Sequence, residues 1–273
     1  MHSVQIGTQR KHVAATWNEL SPEQLLRLLP VLYGHYPNET AQRLHLLPVL
    51  LGITPLSLLR FTPVQLVEIK WLADFLLTGP VTLTTQLLPQ LNGRWYQRPL
   101  WGPADELGGV CFLEFAFADA YFVAFANDQQ QDKWLDHLVA ALYRPQRRPY
   151  RPQAPDYAGD RREPFNEHLL DSRLPRVARL PRLVKLAVFT YYRGCRHALE
   201  QRYPHVFTPA QQGEAQAHPD GWAHVLRELS GQAFGNYAET GRQALDVVLA
   251  KMNDDLARAE QLRREHEAQQ HAC

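Results

Sequence analysis

The chain has 273 residues, of which 45% are hydrophobic, and this is ample for a packed core in one large domain or two of ordinary size. Its 29 lysines and arginines nearly balance its 28 aspartates and glutamates, so the net charge of the whole molecule does not attract nucleic acid or an anionic membrane. Any such binding would have to come from a local cluster of charge.

Cysteine usage indicates a reducing compartment. Cys111, Cys195 and Cys273 form neither a CxxC pair nor an even set of disulfide partners. The first residues also lack the apolar core of a secretory signal. We therefore expect a cytoplasmic protein.

The most apolar stretch of the chain is 110–126. It is about as short as a membrane-spanning helix can be, and it contains Glu114 and Asp119. Two carboxylates are costly inside a bilayer, so the stretch is predicted to be a buried helix and no membrane contact is expected.

Residues 1–143 are predicted to form an N-terminal helical lobe. Ser21, Thr54 and Thr62 each stand directly before a proline, which is the favoured arrangement of a capping hydroxyl and the first helical residue. Ser21 and Gln24 also match a capping box. Leucine-rich runs at helical spacing follow these starts, so each helix should bury one face.

The helical pattern lapses between 79 and 109. A small hairpin is predicted there, in which residues 81–85 pair with residues 94–97 across Asn92 and Gly93. A helical hairpin should follow, with arms at about 111–126 and 131–143.

Trp95 and Trp101 lie close to arginines in this irregular stretch. Aromatic rings beside guanidinium groups can stack on a base or a sugar. The alternative is a loop that packs its aromatic side chains against the helices.

Residues 144–165 are predicted to be an extended Pro/Arg-rich linker. From Arg144 to Lys185 there are eleven basic and five acidic residues, a local excess of six positive charges. Arginines interleaved with tyrosines can hold a phosphate backbone or an acidic partner, whereas a solvated linker or an intramolecular clamp are the alternatives. The candidate partner-binding residues are Arg147, Arg148, Arg151, Arg161 and Arg162, together with Trp95 and Trp101.

Residues 166–273 are predicted to form a C-terminal helical lobe. Its helices are expected at about 166–173, 181–203 and 222–235, with a long polar helix at about 239–270. Gly194 indicates that another segment approaches closely. The fold class is therefore mainly α, with two helical lobes joined by a Pro/Arg-rich linker and at most a small β-hairpin.

The chain carries no recognised catalytic signature, since nucleotide-binding glycine motifs, HExxH, GxSxG and paired CxxC are all absent. Cys195 and His197 are two positions apart, so they point away from each other on a helix. His224 and Glu228, with His218, could supply three metal ligands, but such pairs are common on solvated helix faces. No catalytic, cofactor or metal site is predicted.

Glu114 and Asp119 are better candidates for a functional role, because a carboxylate in an apolar helix needs a partner or a shifted pKa. An inward arginine, for example from the linker, would satisfy one of them without catalysis. An enzyme would require these carboxylates, or the histidine set, to converge in a pocket.

Five segments together suggest a family. They are WNELSPEQLL from Trp17, FLEFAFADAYF from Phe112, WLDHLVAALYRP from Trp134, GDRREPFN from Gly159 and YYRGCRHALEQRYPHVF from Tyr191. Over most of its length the chain resembles uncharacterised proteins encoded in the tail-gene modules of bacterial prophages. The resemblance implies a role in virion or tail assembly, as a chaperone, adaptor or minor structural component, in the host cytoplasm or on the virion. It transfers no catalytic residues.

Two functional hypotheses follow. The first is a non-enzymatic assembly protein that binds a protein partner, such as a phage tail component, or forms homo-oligomers; it predicts an exposed apolar patch. The second is a nucleic-acid-binding protein that uses the linker arginines; it predicts binding that weakens steeply with salt.

Overall fold

The computed structural model describes residues 1–6, 9–92, 98–153, 159–207, 221–231 and 233–271. Over these residues the chain is mainly helical, which confirms the predicted mainly α class, and its two small antiparallel sheets exceed the single small hairpin that was predicted. Helices α1 to α11 are Pro22–Leu32, Glu39–Leu51, Pro63–Ile69, Asp74–Leu77, Phe112–Asn127, Asp132–Leu142, Leu170–Val177, Arg182–Arg202, Trp222–Leu229, Tyr237–Arg242 and Leu245–His271. Short 3₁₀ helices span Trp17–Glu19, Pro55–Arg60, Lys70–Ala73, Asp105–Leu107 and Glu167–Leu169. Strands β1 to β5 are His2–Ile6, Gln9–Val13, Gln90–Leu91, Leu100–Trp101 and Arg144–Pro145.

The chain divides into two compact units with interleaved boundaries. Unit 1 comprises Met1–Pro89 and Arg179–His197, and unit 2 comprises Gln90–Ala178 and Ala198–Cys273. These bounds differ from the predicted lobes at 1–143 and 166–273. The described parts of 144–165 belong to unit 2, where Arg144 and Pro145 pair with β4 and Gln146 pairs with Arg162 within the segment.

Local side-chain chemistry starts the helices of unit 1. Ser21 Oγ accepts a hydrogen bond from the backbone N–H of Gln24 (3.1 Å), and Gln24 Oε1 accepts one from the Ser21 N–H (3.0 Å), so the predicted capping box is confirmed. Thr62 caps α3 in the same way. Thr54 differs from the prediction, because its hydroxyl pairs with Ser57 Oγ (2.8 Å) and caps no backbone group.

The predicted strand at residues 81–85 is wrong. These residues are not in a strand and pair with no described strand, although Val81 and Leu83 are buried as alternate residues of a strand would be. The backbone N–H groups of Thr84 and Thr85 instead donate to Asn18 Oδ1, at 2.8 and 3.0 Å. A side-chain acceptor has therefore replaced the neighbouring strand, and residues 94–97 lie outside the described part of the chain.

The small sheets lie elsewhere. In unit 1, β1 pairs with β2, with His2 opposite Val13. In unit 2, β4 lies between β3 and β5. Gln90 is opposite Trp101 on one side of β4, and Trp101 is opposite Arg144 on the other.

Helices α5 and α6 form the predicted helical hairpin of unit 2 and supply much of its core. The buried side chains include Phe112 and Phe115 of α5 and Leu138 of α6. Trp222 packs edge-on against both phenylalanines, with ring centroids 6.1 and 5.3 Å away. Unit 2 is thus built around an aromatic cluster on α5.

The long helix predicted at 239–270 is two helices in the structure. The backbone is extended at Gln243, with φ −60° and ψ 149°, and α11 begins only at Leu245. The Phe112 N–H donates to the Gln243 carbonyl at 3.0 Å, and the Leu245 N–H donates to the Val110 carbonyl at 3.1 Å. Pairing with residues 110–112 therefore interrupts a helix that local propensity favours.

Candidate functional site

Three short backbone segments of unit 2 meet beside the aromatic residue Trp101. Strand β4 pairs with β5, and the chain beyond β5 pairs with residues 161–163. The Arg147 N–H donates to the Arg161 carbonyl, and the Glu163 N–H donates to the Pro145 carbonyl, both at 2.9 Å. This pairing places the linker arginines next to Trp101, although they lie far from Trp101 in the sequence.

Arg161 joins two aromatic side chains into one wall. Its guanidinium carbon lies 3.9 Å from the centroid of the Trp101 ring and 5.1 Å from that of Tyr150. Its Nη2 also donates to the Tyr150 hydroxyl at 3.1 Å. Trp101 Nε1 is buried and makes no hydrogen bond to any described residue.

The wall borders a groove of about 370 Å³, which we call the cationic groove. It is lined by Arg98, Pro99, Trp101, Gln146, Arg147, Arg148 and Tyr150. Three of these residues are arginines and none is acidic. Arg98 and Arg148 are exposed and Arg147 is half-buried. The groove can therefore attract an anion and present aromatic rings to it.

A buried network of charges lies on the same segments. Glu114 of α5 is fully buried, and its Oε1 lies 2.7 Å from Arg162 Nη1 and 2.8 Å from Arg144 Nη1. The inward arginine predicted for one α5 carboxylate is therefore confirmed, and two arginines serve it. Arg162 Nη1 also donates to the Leu142 carbonyl (2.8 Å), and Arg144 Nε donates to the Glu163 carbonyl (2.7 Å).

The structure corrects the prediction that Arg162 contacts a partner. Its side chain is buried and is held by Glu114 and by Asp160, whose Oδ1 lies 2.8 Å from Arg162 Nε. Burial alone would lower the pKa of Arg162, but the two carboxylates outweigh it and raise the pKa. Arg162 thus supports its own backbone segment from the interior and does not face a partner.

The network affects neighbouring groups. Burial, followed by the charge of Glu114, raises the pKa of the Cys111 thiol to about 11. Burial, followed by the charge of Arg144, lowers the pKa of Arg173. Arg173 Nη2 lies 3.8 Å from Glu163 Oε2 but makes no hydrogen bond to a described residue.

The remaining sequence candidates do not meet at one place. Asp119 Oδ2 accepts a hydrogen bond from Trp222 Nε1 at 2.8 Å. His224 pairs with Glu228 one turn away at 3.2 Å, and His218 lies outside the described residues. Within the described ranges, no group of three His, Cys, Asp or Glu side chains is placed to hold a metal ion.

The other predicted binding residues do not all lie at the cationic groove. Trp101, Arg147 and Arg148 line the cationic groove, and Arg161 supports its wall. Arg151 is exposed but does not line the groove. Trp95 lies outside the described part of the chain. Arg98 lines the groove but is not among the predicted binding residues. Its position close to Trp95 and Trp101 in the sequence could have identified it.

Unit 1 carries a second feature, an exposed apolar segment at residues 55–71. Neither the 3₁₀ helix Pro55–Arg60 nor α3 has a buried side chain. Leu56 and Leu59 are 75% and 82% exposed, and Val64 and Val67 are also exposed. Residues three apart share a face in both helix types, so each helix presents an apolar pair to solvent.

A groove of about 490 Å³ borders this segment. Its lining combines apolar residues such as Ile53, Phe61 and Ile69 with Lys11 and Glu68. The prediction that each helix buries one face is wrong for α3, since Leu66 and Ile69 are only half-buried and no side chain of α3 is buried.

None of the described helices is both long enough and apolar enough to cross a membrane. Comparisons of the chain with protein-family models, with curated proteins and with solved structures give no match.

Proposed function

We propose that this chain is a non-enzymatic protein that binds a protein partner through the exposed apolar segment at residues 55–71. One observation carries the proposal: two consecutive helices, Pro55–Arg60 and α3, bury no side chain although they are rich in leucine and valine. Monomeric proteins seldom leave large apolar patches in water, and such patches commonly mark interaction sites.

The composition of the segment also favours a protein partner. Trp71 is about half exposed and follows the two helices directly, and large aromatic side chains are frequent anchors of protein interfaces. Arg60, Glu68 and Lys11 line the adjacent groove. Apolar anchors with charged neighbours resemble the core and rim of a protein interface.

The biological setting that we propose is phage tail or virion assembly, in which the chain acts as a chaperone, adaptor or minor structural component. This part rests on the resemblance of five segments to proteins of prophage tail-gene modules. The partner would then be a tail component or a second copy of the chain, met in the host cytoplasm or on the virion.

The experiment is co-expression with candidate phage tail proteins, followed by affinity purification and light scattering. Wild-type protein should form a complex of defined mass or a defined homo-oligomer. Leu59→Asp with Val67→Asp should abolish that complex, because a carboxylate in a desolvated interface costs several kcal/mol.

Leu262→Asp is the matched control, since Leu262 is an exposed apolar residue of α11 in unit 2. It should leave the complex intact. A strictly monomeric wild type that binds no tail protein, or equal loss of binding in the control, would refute the proposal.

A second candidate function is nucleic-acid binding, and the cationic groove specifically favours it. Arg147, Arg148 and Trp101, three of the residues predicted for this role, line one groove. Arg162 no longer supports this candidate because its charge is held in the interior.

A further inference from the structure

We propose that the cationic groove binds a nucleoside phosphate, either as one unit of a single-stranded nucleic acid or as a free nucleotide. The proposal gives the second candidate function a site and a ligand class. It does not depend on the apolar segment at residues 55–71, so each proposal can fail without the other.

The charge of the groove selects an anion. Arg98, Arg147 and Arg148 line it, and no ion pair joins any of them to a carboxylate among the described residues. Guanidinium groups donate two parallel hydrogen bonds to phosphate oxygens, which makes arginine well suited to phosphate. Because the net charge of the whole molecule is only +1, this local cluster is where attraction would arise.

The aromatic wall favours a planar group beside the phosphate. Trp101 and Tyr150 both line the groove, and Arg161 holds them together through its contact with the Trp101 ring and its hydrogen bond to the Tyr150 hydroxyl. Bases stack on aromatic rings and on guanidinium planes with little dependence on their identity.

The volume of the groove suits a small ligand, and the walls of the groove are held in place. About 370 Å³ lies at the lower end of the range for small-ligand sites, so it suits one nucleotide unit. The backbone on both sides of the groove is tied down, by the hydrogen bond from Arg147 to Arg161 and by the burial of Arg144 and Arg162. A wall held in this way loses little freedom on binding.

An acidic peptide is the competing anion. It would satisfy the arginines, but a run of carboxylates has no planar apolar group to place against Trp101 and Tyr150. The observations therefore favour a nucleoside phosphate, and the peptide becomes one arm of the test.

The test measures fluorescence anisotropy of a short labelled oligothymidylate with the full chain. Arg147→Gln with Arg148→Gln should weaken binding at low salt by about tenfold or more. Each phosphate contact of a single strand contributes about −0.7 to the slope of log affinity against log salt. The slope should therefore be roughly −2 with all three groove arginines and roughly −0.7 when only Arg98 remains. Tyr150→Leu should weaken binding by about fivefold or more without changing that slope.

Arg151→Gln is the matched control, because Arg151 is an exposed arginine of the same stretch that does not line the groove. It should retain wild-type affinity to within about twofold. Circular dichroism and thermal melting would show that each variant is folded.

Competition identifies the ligand. Displacement by a free mononucleotide would assign the site to nucleotides, and binding of the strand without such displacement would assign it to single-stranded nucleic acid. Three results would overturn the proposal: no binding of either probe, equal loss in Arg151→Gln, or displacement by octaglutamate or inorganic phosphate as effective as by a nucleotide.

Discussion

Glu114 is a fully buried carboxylate between two fully buried guanidinium groups, so its negative charge keeps Arg144 and Arg162 in the interior. Asp160 and Glu163 complete the balance at the edge of the network. A buried ion pair adds little net stability over an apolar pair, but loss of one partner leaves an uncompensated charge. The two arginines come from β5 and from the segment bridged to Gln146, which also support the cationic groove.

Glu114→Gln should lower the free energy of unfolding by about 3–5 kcal/mol, because it leaves two buried guanidinium groups without a buried countercharge. Urea denaturation followed by circular dichroism would measure the change. The same variant should also loosen the wall of the cationic groove, since Arg144 and Arg162 belong to its supporting segments.

Glu228→Gln is the control for this prediction. Glu228 pairs with His224 on an exposed helix face, and exposed pairs are worth about 1 kcal/mol or less. A loss of less than about 1 kcal/mol in Glu114→Gln would show that water or a rearranged side chain replaces the missing carboxylate.

At the scale of single elements, α8 depends on a glycine at one point of contact. A Cβ atom built on Gly194 would lie 2.2 Å from the carbonyl oxygen of Leu83 and 2.5 Å from its nitrogen. Both are backbone atoms, so the segment at residues 81–85 could not yield by rotating a side chain. The close approach predicted for Gly194 is therefore confirmed, and it also explains how a strand-like segment packs on a helix without a partner strand.

Gly194→Ala should destabilise the protein by about 1–3 kcal/mol, the cost of overpacking, although alanine is the better helix former by about 1 kcal/mol. Thermal unfolding followed by circular dichroism would show the change. Gly79→Ala provides the comparison, because a Cβ there meets no atom within 4 Å. An unchanged or raised melting temperature in Gly194→Ala would contradict the contact.

The secondary-structure elements also show which features depend on nearby residues and which depend on tertiary contacts. The capping boxes at Ser21 and Thr62 could be predicted because each is closed by a residue three positions away. The absence of a strand at residues 81–85 could not be predicted, because Asn18, which accepts the Thr84 N–H, lies 66 positions away. The break before Leu245 was hidden for the same reason, since residues 110–112 cause it.

At the scale of the whole molecule, stability should be uneven. Helices α5 and α6 bury six apolar side chains each, whereas Pro55–Arg60 and α3 bury none. Segments with few buried contacts open locally at low cost. The proposed protein-binding surface would then be the least protected helical part of unit 1.

Hydrogen exchange measured by mass spectrometry should therefore show fast exchange at residues 55–69 and the slowest exchange in α5 and α6. The exposed end of α11 beyond residue 261 should exchange as fast as residues 55–69, which gives an internal reference. Added partner protein should protect residues 55–69 and leave that end of α11 unchanged. If residues 55–69 of the free protein were protected from exchange as strongly as α5, the predicted difference in local stability would be wrong.

The candidate sites were predictable to different degrees. Arg147, Arg148 and Trp101 could be chosen because arginines interleaved with aromatic residues are a local compositional signal. The burial of Arg162 could not be separated from the exposure of Arg148, since both belong to one arginine-rich stretch. The exposed apolar segment could not be predicted, because the spacing of the apolar residues in α3 does not reveal whether another segment covers them.

The sequence by itself determined the helical class, several helix starts and the need of the α5 carboxylates for a partner or a shifted pKa, because these depend on spacing and on chemistry within a few residues. Only the tertiary structure decided which arginines meet Glu114, which remain in the cationic groove, and where helices stop. Those outcomes depend on contacts between residues as far apart as Glu114 and Arg162, which are 48 positions from each other. Local propensities are worth a few tenths of a kcal/mol to about 1 kcal/mol per residue, and such contacts outweigh them.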